Sequence, residues 1–171
     1  MKIIISESQY ELLAENKFKE GLEEYMDLYD NDVNSASESS GIELYKFIEM
    51  GLIGDYDGYL DLAGTPIKSL GNLKSVSGSM DLGNTQIEDL GNLTSVENDL
   101  YLNSTSIKDL GKLKSVGGDL YLNNCEKLTD LGNLKSVGGY LYLRNTPISR
   151  MMSKYYIKKK IKVRGDISIW K

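Results

Sequence analysis

The chain is 171 residues long, with 40% hydrophobic and 26% charged side chains and a formal net charge of −5, proportions of a globular domain rather than a disordered one. It holds no histidine and a single cysteine, Cys125, which excludes the usual general base near neutral pH, an intrachain disulfide and a cysteine-rich zinc site. No apolar run nears the roughly 18 residues of a membrane span, and MKIIISESQY lacks the apolar core of a secretory signal, so a cytoplasmic protein is expected.

Residues 1–58 read as an amino-terminal helical cap. Ser6 with Gln9 and Ser8 with Glu11 have capping-box spacing. Phe18, Leu22, Tyr25, Met26 and Tyr29 then fall on one helical face, with Glu20, Glu23, Glu24 and Asp27 opposite. Asn31 to Ser40 is a polar loop, and a second helix, roughly Ile42 to Leu52, carries Tyr45, Phe47 and Ile48 toward the next segment.

That segment, residues 59–149, is repetitive. LDLAGTPIKSLGNLKSVSGS at 60–79, MDLGNTQIEDLGNLTSVEND at 80–99 and LYLNSTSIKDLGKLKSVGGD at 100–119 share a period of 20 residues. A fourth copy, 120–140, is one residue longer around Glu126 and Lys127, a fifth opens at Leu141, and Val163 to Ile169 repeats the pattern of Val116 to Leu122. In each L-x-L the aliphatic pair points one way along a strand and the middle residue the other. Ile107, Leu110, Leu113 and Val116, and their equivalents, recur every three residues and fill the same core from the convex side. One turn cannot bury these side chains alone, so the turns must stack and the two terminal turns need covers. Gly71, Gly91, Gly111 and Gly132 recur with the repeat and suit tight turns rather than a phosphate-binding loop.

The shared pattern L-x-L-x-x-T-x-I-x-x-L-G-x-L-x-S-V-x-G-x resembles the leucine-rich-repeat family in its short form. Thr65, Thr85, Thr105 and Thr146 stand where that family usually carries Asn, and Cys125 takes the place in the fourth copy. The resemblance implies an α/β fold: a right-handed solenoid with one parallel sheet of about six short strands. In style, the KIIISESQ start, the SVGGDLYL-like turns and the lysine-rich end are similar to small leucine-rich-repeat proteins of tailed phages. Residues 150–171 form the carboxy-terminal cap, in which SRMMSKYYIKKKIK replaces the short convex segment with a basic helix and a last strand runs from Asp166 to Trp170.

Stacking turns the outward strand positions into columns. The middle residues are Asp61, Asp81, Tyr101, Tyr121, Tyr142 and Ser168; the position before the first Leu holds Tyr59, Ser79, Asp99, Asp119, Tyr140 and Asp166; the position after the second holds Ala63, Gly83, Asn103, Asn123, Arg144 and Trp170. The face is acidic toward one end and aromatic toward the other. Stacked tyrosines stabilise a sheet and also make rigid amphipathic contacts; both roles are open. Asp61 beside Asp81, and Asp99 beside Asp119, set like charges on neighbouring strands, which a partner's Lys or Arg or a cation would relieve, or which solvent screens at a sheet edge. Neither a calcium loop nor a cleft for a carboxylate pair accompanies them.

Residues 1–57 hold four basic and fourteen acidic side chains, residues 58–149 eight and ten, and residues 150–171 eight and one. Lys154, Lys158, Lys159, Lys160 and Lys162 make the end basic, yet a sequence pI near 4.9 is contrary to a nucleic-acid footprint. The expected function is a non-enzymatic protein–protein interaction module, without cofactor or metal. Its partner, another protein, would meet Tyr59, Asp61, Asp81, Asp99, Tyr101, Asn103, Asp119, Tyr121, Asn123, Tyr140, Tyr142 and Arg144. The alternative is a structural component that self-assembles through its oppositely charged ends. A ligand receptor or an enzyme needs a concave pocket that six short strands barely provide.

Overall fold

The computed structural model describes residues 44–51 and 53–169. The capping boxes at Ser6 and Ser8, the amphipathic segment and the polar loop expected after them, together with Ile42, Leu52 and Trp170, lie outside the described residues. The described chain is a solenoid of stacked turns. The sheet expected from the L-x-L segments is formed by β2 (Leu60–Asp61), β4 (Met80–Asp81), β6 (Leu100–Tyr101), β8 (Leu120–Tyr121), β10 (Leu141–Tyr142) and β12 (Ile167–Ser168). Every neighbouring pair is parallel and in register. The last strand is shorter than the Asp166 to Trp170 span expected of it.

A second parallel sheet accompanies this leucine sheet: β1 (Asp55–Tyr56), β3 (Ser75–Val76), β5 (Ser95–Val96), β7 (Ser115–Val116), β9 (Ser136–Val137) and β11 (Lys162–Val163). Each turn therefore contributes two strands joined by a three-residue corner, such as Gly117–Gly118–Asp119 between β7 and β8. The Ser-Val pair is more than convex filling, because its amides pair with the turns on either side. Val96 accepts from the Gly117 N–H, and Val116 from the Gly138 N–H, each at 2.9 Å. The residue inserted near Glu126 and Lys127 leaves both sheets in register, since it is absorbed by a turn in which the Leu128 N–H donates to the Cys125 carbonyl at 3.1 Å.

The core is a set of columns running along the stack. Leu60, Met80, Leu100, Leu120, Leu141 and Ile167 are all fully buried, as are Ile67, Ile87, Ile107, Leu128 and Ile148. Each such side chain contributes about 1.5–3 kcal/mol on removal from water. Buried Thr85, Thr105 and Thr146 donate their hydroxyls to the carbonyls of Leu82, Leu102 and Leu143. Cys125, in the same column, donates its thiol to the Leu102 carbonyl at 3.0 Å, and burial pushes that thiol's pKa up.

The ends are covered as stacking demands. Helix α1 (Leu44–Glu49) buries Phe47 and Ile48 against the first turns. Gly71 has φ +52, and a side chain there would strike the Ile48 carbonyl, which is why this turn is glycine. At the other end the expected basic helix is two helices. α2 (Pro147–Met151) is capped by the Thr146 hydroxyl and α3 (Lys154–Lys160) by that of Ser153. Ile148, Ile157 and Ile161 face the core. No helix among the described residues is long and apolar enough to cross a membrane.

The position two residues after the second Leu adopts a left-handed backbone in every repeat: Gly64 (φ +66), Asn84 (+59), Ser104 (+60), Asn124 (+62) and Asn145 (+56). Asn and Gly tolerate that region, whereas Ser104 carries its cost. Ser104→Asn is expected to stabilise the protein by about 0.5–1 kcal/mol, which a thermal melt would record as a rise of about 1–4 °C.

Candidate functional site

The outward face of the leucine sheet gathers the side chains singled out in the sequence. Register places Asp61, Asp81, Tyr101, Tyr121, Tyr142 and Ser168 in one continuous column. The rings of Tyr101 and Tyr121 stack at 4.6 Å and 9°, those of Tyr121 and Tyr142 at 4.6 Å and 5°. Tyr140 leans on Tyr142 at 6.1 Å and 30°. The three stacked rings are half-buried, while Tyr59 and Tyr140 are 56% and 51% exposed. The column is thus acidic over its first two turns and a continuous aromatic strip over the next three, with open Tyr140 beside the strip and open Tyr59 at the acidic end.

The aspartates divide into two kinds. The Asp99 carboxylate accepts the Asp119 N–H at 2.7 Å, and the Asp119 carboxylate accepts the Tyr140 N–H at 2.7 Å, so each ties its corner to the next. The second oxygen of each takes the hydroxyl of Tyr101 (3.3 Å) or Tyr121 (3.1 Å). A hydrogen bond to a charged group contributes about 1.5–3 kcal/mol before screening, which exceeds the few tenths of a kcal/mol expected from repulsion between neighbouring strands. The apparent charge clash is therefore a ladder. Asp61 and Asp81 instead fold back on their own loops, accepting from the N–H of Ala63 at 3.0 Å and of Gly83 at 2.7 Å. One oxygen of each is left without a hydrogen bond among the described residues.

The ladder explains the corner glycines. A Cβ at Gly118 would overlap the Asp99 carboxylate, and one at Gly139 the Asp119 carboxylate. One turn earlier the lower residue is the shorter Ser79, whose hydroxyl accepts the Asp99 N–H at 3.2 Å, and there Asn98 stands in place of glycine. Asn103 and Asn123 form a second ladder. Their side-chain oxygens accept the N–H groups of Asn123 (3.1 Å) and Arg144 (3.0 Å), leaving the exposed Arg144 guanidinium without an ion pair among the described residues.

Burial and neighbouring carboxylates raise the pKa of three phenols. Burial, then the charges of Asp61 and Asp81, raise the Tyr59 pKa; burial and Asp99 raise that of Tyr101; burial and the hydrogen bond to Asp119 push that of Tyr121 up furthest. The acidic end holds a concavity of about 670 Å³ lined by Asp57, Tyr59, Ser77, Asp81, Asn98 and Tyr101. Asp166 is spoken for by the cap: Lys154 at 3.0 Å and Lys158 at 3.5 Å hold its carboxyl down to about 2. Among the described residues no three His, Cys, Asp or Glu side chains cluster as a metal site would need. What the face offers is hydrogen bonding and aromatic contact from a prearranged surface.

The structure also exposes a site the sequence reading passed over. The Ser-Val sheet carries its own outward rows, ending at Lys162 and Arg164. The signal was present in the invariant Ser of each S-V pair, but a two-residue strand leaves no alternation to recognise.

Gly118→Ala is expected to cost about 1–3 kcal/mol by displacing the Asp99 carboxylate. In an Asp99→Ser background the same change should cost at least about 1 kcal/mol less, a coupling that a double-mutant cycle of urea unfolding would read directly.

Comparison with protein-family models, with curated proteins and with solved structures finds no match to the chain.

Proposed function

We propose that this chain is a non-enzymatic protein-binding module of the leucine-rich-repeat type, engaging another protein through the outward face of the leucine sheet. The L-x-L repeat and the 20-residue turn support the repeat type. The observation that carries the binding role is the stacked strip Tyr101–Tyr121–Tyr142, with open Tyr140 against it and open Tyr59 two turns away beyond Asp81. Its rings are ordered before any partner arrives, so little side-chain entropy is lost on contact. The unengaged oxygens of Asp61 and Asp81 and the Arg144 guanidinium add charge at opposite ends, which fixes orientation more than affinity. The similarity in style to phage proteins supports a phage-encoded inhibitor or adaptor acting on a host protein in the host cytoplasm.

A second reading has its own support. Met151, Tyr155 and Tyr156 are 61%, 69% and 65% exposed on the basic cap, which fits a component that self-assembles end to end with the acidic first third of another copy. Concentration-dependent growth in light scattering would favour it.

The binding role is tested on two double variants that spare the ladders, Tyr59→Ala with Tyr140→Ala, and Asp61→Asn with Asp81→Asn. Against a partner captured from the source cells and identified by mass spectrometry, the tyrosine pair should weaken binding by about 2 kcal/mol or more, roughly 30-fold. The Asn pair, whose side-chain oxygens still accept from the Ala63 and Gly83 N–H groups, should lower the association rate and leave the protein folded at the assay temperature. Unaltered affinity and rate in both variants would contradict the assignment of this face.

A further inference from the structure

The Ser-Val sheet carries a groove of about 770 Å³, on a different sheet from the tyrosine face, lined by Ser115, Gly117, Ser136, Gly138, Lys162 and Arg164, with Glu97 at its far end. In-register pairing makes two outward rows across the turns. One runs Asp55, Ser75, Ser95, Ser115, Ser136, Lys162. The other runs Asp57, Ser77, Glu97, Gly117, Gly138, Arg164, as the amide bonds of Ser77, Glu97, Gly117, Gly138 and Arg164 to the preceding turns require. Both rows therefore begin at an aspartate and end at a cation.

The two ends differ in how their charges are met. At the first turn the Ser75 hydroxyl donates to Asp55 and the Ser77 hydroxyl to Asp57, so each carboxylate has one oxygen held by a serine of the next turn. At the last turn Lys162 and Arg164 meet no carboxylate among the described residues, although three lysines of the adjoining helix do: Lys154 and Lys158 on Asp166, and Lys160 on Asp130. The hydroxyls of Ser115 and Ser136 likewise have no partner among the described residues. Between them, Gly117 and Gly138 put no side chain in the second row, so the groove stays open beside the hydroxyls.

We propose that this groove binds an acidic peptide segment of a partner protein, its carboxylates seated against Lys162, Arg164 and the Ser115 and Ser136 hydroxyls. The chemistry is the one the first turn already makes, a serine hydroxyl on a carboxylate, with two cations added to it. From the turn of Glu97 to that of Arg164 is three strand spacings, about 14 Å, the length of roughly four residues of extended chain. Glu97 repels acidic residues at the far end, so the peptide's carboxylates are concentrated toward β11. A single exposed ion pair contributes little; a guanidinium, an ammonium and two hydroxyls acting together on one short segment give weak, salt-sensitive recognition. A nucleic acid is the poorer fit, because the whole chain is net negative at −5 and would repel a long polyanion beyond the groove.

The test is fluorescence anisotropy of a labelled tetra-aspartate peptide against the full chain. Saturable binding that weakens with added salt is expected. Lys162→Gln with Arg164→Gln should weaken it about tenfold or more, as the loss of two charge-assisted contacts requires, and Ser115→Ala with Ser136→Ala should weaken it several-fold. Lys159→Gln, an exposed lysine of α3 outside the groove lining, should leave it unchanged, as should Tyr59→Ala with Tyr140→Ala, which separates this site from the tyrosine face. No saturable binding, an equal loss from Lys159→Gln, or tighter binding of a single-stranded oligothymidylate of matched charge would overturn the proposal.

Discussion

Everything in this molecule depends on one constraint, the in-register return of the backbone after each turn of 20 or 21 residues. Parallel pairing of Leu100 with Leu120 and of Val96 with Val116 fixes two lines of contact per turn. Any residue is then locked to its equivalents above and below. Columns of one chemistry follow: leucines that make a continuous core, threonines that satisfy buried carbonyls, tyrosines that stack, and aspartates that reach the next turn's amide. A slip of one residue would turn all of these to the wrong face at once. The same constraint makes the two ends unlike the middle, and α1 at one end and α2 with α3 at the other supply the apolar cover that a terminal turn lacks.

Where a feature depends only on the repeat period, it was legible in the amino-acid order. The L-x-L strands, the inward Ile, Leu and Val positions, the tyrosine column and the late strand at Ile167 all follow from aligning copies at 20 residues. What depends on distances between turns was not. The Asp99 and Asp119 carboxylates looked like repelling neighbours, because sequence gives no sign that each can span to the amide of the next corner. Nor does the amino-acid order show why Gly118 and Gly139 of that corner must be small, which is that a carboxylate passes over them. The Ser-Val strands were hidden for a plainer reason: two residues are too few to show an alternating pattern, and their regular spacing also suits a convex filler.

This arrangement has a consequence for recognition. A repeat of near-identical turns gives a stiff body on which a few substitutions write a surface. Along the leucine sheet the change from Asp61 and Asp81 to Tyr101, Tyr121 and Tyr142 converts an acidic end to an aromatic one. Along the Ser-Val sheet the change from Asp55 and Asp57 to Lys162 and Arg164 converts an acidic end to a basic one. Two sheets of the same turns thus offer surfaces of different chemistry.

The stacking constraint is most directly measured by nuclear Overhauser contacts in solution. The account predicts backbone contacts between residues 20 or 21 apart, Leu100 to Leu120 and Val116 to Val137 among them, in the slanted order of parallel strands. Contacts in the mirrored order of antiparallel hairpins, or an absence of any contact at that spacing, would contradict it.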